Sequence, residues 1–335
     1  MATLAVKYRP QQFEDVCGQE NIIAILNNQL NEKSFKNCYL FCGGSGLGKT
    51  TMARIFAKKL NNKGSIIEID AASNNGVDDV RKIIEDSKFL PLDGSYKVYI
   101  LDECHLFSNG AWNAMLKLIE EPPAKTIFML CTTDPQKIPV TILGRVQRYN
   151  FTRISENKVL GRLKYILQQE NITTFDDAAL QLIIRTSGGG MRDSITLMEK
   201  CLGYDKNLTV ENITKALGIV SFEMMFNLLF CIQEKDTKKV LSLLENIYEQ
   251  GNDIKLFIFD FIQFCLDVVK YKLTKDYKMS RLPANYEESA KNLKFTSQEF
   301  SEFINNLVKL NAYIKVENNP IVFIKSFFIQ ETLKI

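Results

Sequence analysis

Two hydrophobic periodicities divide the chain. Up to about residue 151, short apolar runs have the length and composition of strands: CYLFC (38–42), IIEID (66–70), KVYILD (97–102), TIFMLC (126–131) and VQRYNF (146–151). Between them lie stretches with helical spacing, such as TTMARIFAKKL and GAWNAMLKLIEE, the second stopped by Pro122-Pro123. Strands alternating with helices predict an α/β domain over 1–151, a parallel five-stranded sheet with helices on both faces. After residue 152 the strand pattern disappears. Residues 155–203 read as helices broken by TSGGGMRD, giving a small helical domain over 152–210. Longer helices follow, among them SFEMMFNLLFCIQ and DIKLFIFDFIQFCLDVVKYKL, giving an all-helical domain over 211–335. The stretch TKDYKMSRLPANYEESAKN, with Pro283, is the most loop-like part of it. No internal repeat is visible.

Composition changes little in this picture. The 335 residues are 46% hydrophobic and 24% charged, as in an ordinary globular protein. No apolar run approaches the ~18 residues needed to span a bilayer, and the start has no secretory pattern, so a cytoplasmic protein is expected. The net charge of +3 is spread evenly along the chain, so contacts to nucleic acid have to come from local placement. The eight cysteines form no CxxC pair, and His105 is the single histidine. A four-ligand metal site is therefore not expected, and most of the thiols read as small core hydrophobes.

The chemistry begins at GGSGLGKTT (43–51), placed between a strand and a helix as a P-loop requires. Gly43, Gly46 and Gly48 let backbone N–H groups converge on phosphates. Lys49 can reach the β- and γ-phosphates, and the Thr50 hydroxyl can ligate magnesium. Asp102 ends the third strand, where a carboxylate can complete the magnesium shell, and Glu103 is placed to deprotonate an attacking water. The string ILDECHLF (100–107) also reads as the DExH box of a helicase. A helicase needs a second strand-bearing motor domain, and residues 152–335 offer none. Thr133 follows the fourth strand, where it can face the γ-phosphate. Arg145 precedes the fifth strand, and Arg192 starts a helix of the second domain.

Taken in order, AVKYRPQQFEDVCGQENI, the P-loop, IEIDAASNNGVDDVR, KVYILDECHLFS, WNAMLKLIEEPP and TTDPQKIPVTIL resemble the AAA+ subunits of sliding-clamp loaders, of the gamma/tau type found in bacterial DNA polymerase III. The likeness is dense over residues 5–205 and weaker beyond, where ENNPIVFIKSFFI is similar to the family's closing collar helix. It implies an AAA+ domain, a helical lid and an all-α collar. It implies ATP and magnesium as cofactors, with Tyr8, Arg9, Pro10, Val16 and Cys17 bordering the adenine. Gly43, Gly44, Ser45, Gly46, Leu47, Gly48, Lys49, Thr50 and Thr51 would hold the phosphates, and Thr50 and Asp102 the metal. Glu103 would activate water, with Thr133 as sensor 1 and Arg192 as sensor 2. Arg145 would act as a finger in the neighbouring subunit's site. Candidate DNA contacts are Arg81, Lys117 and Lys137, with backbone amides at Asn74, Asn75 and Gly76. The implied partners are delta- and delta-prime-type subunits in a pentameric ring, the sliding clamp and primer–template DNA.

Three departures from the family pattern stand out. Where the family commonly carries a four-cysteine zinc module, this chain has only NNKGS (61–65), so no zinc is expected. The SRC around the finger reads GRV (144–146). The sequence stops at the collar, which reads as a short, gamma-like form. The implied function is ATP-driven opening and loading of the clamp. The alternatives are a non-hydrolysing, delta-prime-like structural subunit, or another AAA+ ATPase that remodels DNA.

Overall fold

A computed structural model describes residues 2–60, 66–91, 96–276, 280, 282 and 286–334, except the side chain of Ser297. Two compact units make up the chain, Met1–Val210 and Glu211–Ile335.

The first unit is built on five parallel strands, β1 (Cys38–Cys42), β2 (Ile66–Asp70), β3 (Lys97–Asp102), β4 (Thr126–Thr132) and β5 (Gln147–Asn150). Their order across the sheet is β2-β3-β4-β1-β5. The three central strands are buried along almost their whole length, and the edge strands β2 and β5 carry the exposed polar positions. That distribution follows from covering a parallel sheet on both faces. Alternate side chains divide between the two faces. Leu40, Tyr99, Leu101, Phe128 and Leu130 share a core with Val80, Ile83, Trp112 and Met115. The latter belong to α4 (Val77–Ser87) and α5 (Asn109–Glu120). On the opposite face Tyr39 meets Phe56 edge-on at 5.2 Å, from α3 (Lys49–Leu60), which also packs against α2 (Glu20–Glu32).

Register decides function here. Asp70 pairs with Asp102, Leu101 with Leu130, and Cys42 with Thr132. The C-terminal ends of β1, β3 and β4 are therefore level, and β4 lies between the other two. The P-loop, the acidic pair and Thr133 are brought to one rim, where ligands of open parallel sheets bind. After the short helix α6 (Val140–Leu143) and β5, three helices follow in the same unit: α7 (Glu156–Gln169), α8 (Asp177–Thr186) and α9 (Met191–Tyr204). They pack on one another, and a short N-terminal helix, α1 (Leu4–Lys7), packs on α9.

The second unit is helical throughout its described residues. Its core joins helices 222–233, 237–249, 254–274, 297–314 and 320–334 around Phe226, Phe261, Phe264, Phe300, Phe303 and Phe328. Pro283 and its neighbours 284–285, predicted as loop, lie outside the described residues, as does the NNKGS stretch on which the absence of zinc was argued. No single helix among the described residues is long and apolar enough to cross a membrane.

Candidate active site

A cavity of about 370 Å³ opens at the sheet rim, between the P-loop, the N-terminal segment and the first turn of α9. Gly43 leaves β1 at φ +154°, and an alanine Cβ there would sit 2.8 Å from both the Cβ and the carbonyl oxygen of Phe151. Gly48, at φ +93°, has open space where its Cβ would point and lines the cavity. The loop delivers Lys49 to the start of α3, whose free N–H groups and dipole favour an anion. Lys49 is 6% exposed, and its Nζ donates to the carbonyls of Gly43 and Gly44, each at 2.8 Å. Burial pulls its pKa below the ordinary lysine value, against the pull of Glu103 and Asp102.

The acidic pair is held in two ways. Thr50 Oγ1 donates to Asp102 Oδ2 at 2.9 Å, and the Glu103 amide donates to Asp102 Oδ1 at 3.1 Å. Burial raises the pKa of Asp102, partly offset by these two bonds. Glu103 itself sits at φ +47°, a left-handed conformation uncommon for a side-chain-bearing residue. That turn carries its carboxylate towards β4. There the Thr133 hydroxyl donates to Glu103 Oε2 at 2.8 Å and the Thr133 amide does so at 3.4 Å.

Tyr8, Arg9, Pro10, Val16, Cys17, Ser45, Gly46, Leu47, Gly48, Lys49, Thr50, Thr51, Asp102, Glu103 and Arg192 line the one cavity. Gly43 and Gly44 act beneath it through their bonds to Lys49, and Thr133 through Glu103. Arg145 does not line it. Its guanidinium pairs with Glu120 at 2.7 Å, donates to the Thr141 carbonyl at 2.7 Å and is 44% exposed. Arg81 pairs with Asp78 and Lys137 with Asp134, and Lys117 is exposed on α5. The amide of Asn74 donates to the Asp70 carbonyl and that of Gly76 to Asp79, so both are engaged within the chain.

Sequence reasoning missed Arg162. From α7 it lines the same cavity, donates to the Tyr8 carbonyl at 2.8 Å and lies 5.0 Å from the Tyr165 ring centroid. Lys7 and Tyr8 both bond Glu170, and Glu199 accepts the Leu4 amide. The N-terminal segment is thereby fastened to the helical layer that carries Arg192. A single arginine on an amphipathic helix gives no signal of such a role.

Residues 158–204 match the family "DNA polymerase III clamp loader subunit, ATPase lid domain". Residues 208–308 match "DNA polymerase III subunits gamma and tau domain III", and 65–155 match "DNA polymerase III, delta subunit". The DNA polymerase III subunit gamma of Buchnera aphidicola from Baizongia pistaciae is 33% identical over 90% of this chain and 86% of its own. The chain belongs to the DNA polymerase III gamma/tau family. The subunit gamma of Buchnera aphidicola from Acyrthosiphon pisum is 34% identical, with 78% of each chain covered. Bacillus subtilis subunit tau is 38% identical over 94% of this chain, which spans only 60% of that longer protein. It spans 40% of Haemophilus influenzae tau/gamma. Among solved structures, the Thermotoga maritima RuvB Holliday junction branch migration motor has the same fold. Its TM-score is 0.54 at 20% identity, over 67% of this chain and 79% of its own. That likeness places this gamma/tau relative in the AAA+ architecture and goes no further.

Proposed function

We propose that this chain is an ATP-hydrolysing subunit of a cytoplasmic clamp loader, which opens a ring-shaped clamp and places it on primer–template DNA. One observation carries the reading. Lys49, Thr50, Asp102 and Glu103, from the P-loop and the end of β3, meet in one cavity with Arg192 from the lid helices. The α3 N-terminus and Lys49 hold the phosphates, and Tyr8, Arg9, Pro10, Val16 and Cys17 border the base. Thr50 and Asp102 offer hard oxygen ligands in mutual contact, a donor set suited to the magnesium that accompanies the nucleotide. Held by Thr50 and Asp102, such an ion would supply charge neutralisation at the β- and γ-phosphates. Glu103 accepts a proton from the attacking water, and the water oxygen bonds to the γ-phosphorus as the bond to ADP breaks. Thr133 stands between Glu103 and the γ-phosphate.

Arg145, exposed and outside its own cavity, serves a neighbour's site in a pentameric ring completed by delta- and delta-prime-type subunits. Arg81, Lys117 and Lys137 face DNA phosphates. A silent, delta-prime-like role is disfavoured by the full set of hydrolytic side chains in the cavity. The test is reconstitution with delta-type partners, a ring clamp and primed circular DNA. Clamp transfer should require ATP and disappear in Lys49→Ala, and Glu103→Gln should bind ATP and clamp without turnover. Transfer unaffected by Lys49→Ala, or strand movement without any clamp, would overturn the proposal.

A further inference from the structure

The only histidine of the chain has a place beside the hydrolytic carboxylate. His105 lies in the single helical turn Cys104–Leu106 that directly follows Glu103. Its neighbour Cys104 is fully buried, whereas the His105 side chain is 11% exposed. Its Nδ1 is 3.3 Å from Glu103 Oε2 and 3.2 Å from Thr132 Oγ1. The Thr132 hydroxyl oxygen already accepts the Asp134 amide at 3.0 Å.

A neutral imidazole carries its proton on one nitrogen or the other, and its bonding partners decide which. With the proton on Nε2, the bare Nδ1 lone pair could accept the Thr132 hydroxyl but would also face a carboxylate oxygen at contact distance. With the proton on Nδ1, one N–H serves two acceptors at once, Glu103 Oε2 and Thr132 Oγ1. The geometry points to His105 as a positioning residue for the proposed general base, its neutral form protonated on Nδ1. Resting on the hydrolytic reading of Glu103, this extends it to a residue with no direct role in that reading.

The consequence for Glu103 is an asymmetric grip. Oε2 is held from β4 by Thr133, at 2.8 Å from the hydroxyl and 3.4 Å from the amide, and from its own turn by His105. Oε1 makes none of these contacts. A carboxylate anchored through one oxygen presents the other in a fixed direction, which is what a base needs in order to meet a water already lined up on phosphorus. The left-handed backbone at Glu103 is part of the arrangement, because it turns carboxylate and imidazole to the same side.

A single histidine makes the tautomer directly measurable. Long-range 1H–15N correlation on the full chain labelled with 15N-histidine, followed to the alkaline end of its pH titration, should give one imidazole with a protonated Nδ1 and a bare Nε2. Glu103→Gln should shift that resonance. A protonated Nε2, or a spectrum indifferent to Glu103→Gln, would overturn the inference whether or not the chain hydrolyses ATP.

Turnover supplies the second arm. In His105→Asn the amide N–H lies near the place of Nδ1–H, and in His105→Gln near that of Nε2–H. His105→Ala and His105→Gln should each lower kcat by roughly tenfold, a fraction of what a general base contributes. KM for ATP should stay within about twofold, and His105→Asn should restore most of the rate. Rescue by Gln rather than Asn, or a change confined to KM, would contradict the positioning role. Absence of turnover in the wild type would instead count against the hydrolytic reading, leaving the tautomer to decide the position of His105.

Discussion

Replacing Gly43 by alanine should destabilise the first unit by an amount that can be worked from its surroundings. The added Cβ would fall 2.8 Å from the Cβ and 2.8 Å from the carbonyl oxygen of Phe151. Neither atom is the end of a flexible side chain. The Phe151 amide is bonded to the Cys42 carbonyl at 2.7 Å, and the Gly43 amide to the Thr132 carbonyl at 3.2 Å, so both strands are pinned where they would have to part. The Phe151 ring is also packed edge-on against Phe41 at 5.7 Å. Overpacking of this kind costs about 1–3 kcal/mol, and the φ of +154° adds strain of about 1 kcal/mol. A total of about 2–4 kcal/mol in a unit of this size corresponds to a Tm lower by roughly 5–15 °C. The chain's one tryptophan, Trp112, is buried in that unit, so its fluorescence follows the relevant transition. Gly161→Ala is the control. It lies exposed within α7 with nothing near its Cβ, and should gain about 0.5–1 kcal/mol. An unchanged Tm in Gly43→Ala, or an equal fall in Gly161→Ala, would refute the reasoning.

Asp102→Asn should raise stability at neutral pH while abolishing magnesium-dependent turnover. Burial lifts the folded pKa of Asp102 above its ordinary value of 3.8. The stability this group contributes is therefore full below that value and lost as pH rises through the folded pKa. The neutral amide should gain about 0.5–2 kcal/mol at pH 7 and nothing near pH 3, as read by denaturant titration at both. Arg162→Ala should raise KM for ATP by about tenfold with little change in kcat, since it removes the bond that holds Tyr8 against the pocket. Cys17 and Cys231 are the half-buried thiols, both with pKa values raised by burial. Alkylation at pH 7 should therefore be slow at each. MgATP should protect Cys17, which lines the cavity, and leave Cys231 unchanged, as mass spectrometry of the labelled peptides would reveal.

The strands were legible because a strand buried on both faces is a short continuous apolar run. Each of the five falls within a residue or two of its expected place. The P-loop and the acidic strand end were legible because their chemistry is local in sequence. Relationships across the sheet were not. That Thr133 bonds Glu103 follows from β4 lying beside β3 with Leu101 level with Leu130, and side-chain reach of that kind leaves no periodic trace. Arg162 shares its sequence appearance with any solvated helix cation, and only its bond to the Tyr8 carbonyl distinguishes it.

ATP turnover per chain, measured against protein concentration for the wild type and for Arg145→Ala, tests the shared hydrolytic site most directly. Arg145 is exposed and paired with Glu120 on its own chain, so its removal should leave folding and ATP binding intact. The account predicts turnover that rises with concentration and is lost in Arg145→Ala although ATP still binds. Turnover independent of both concentration and Arg145 would contradict it.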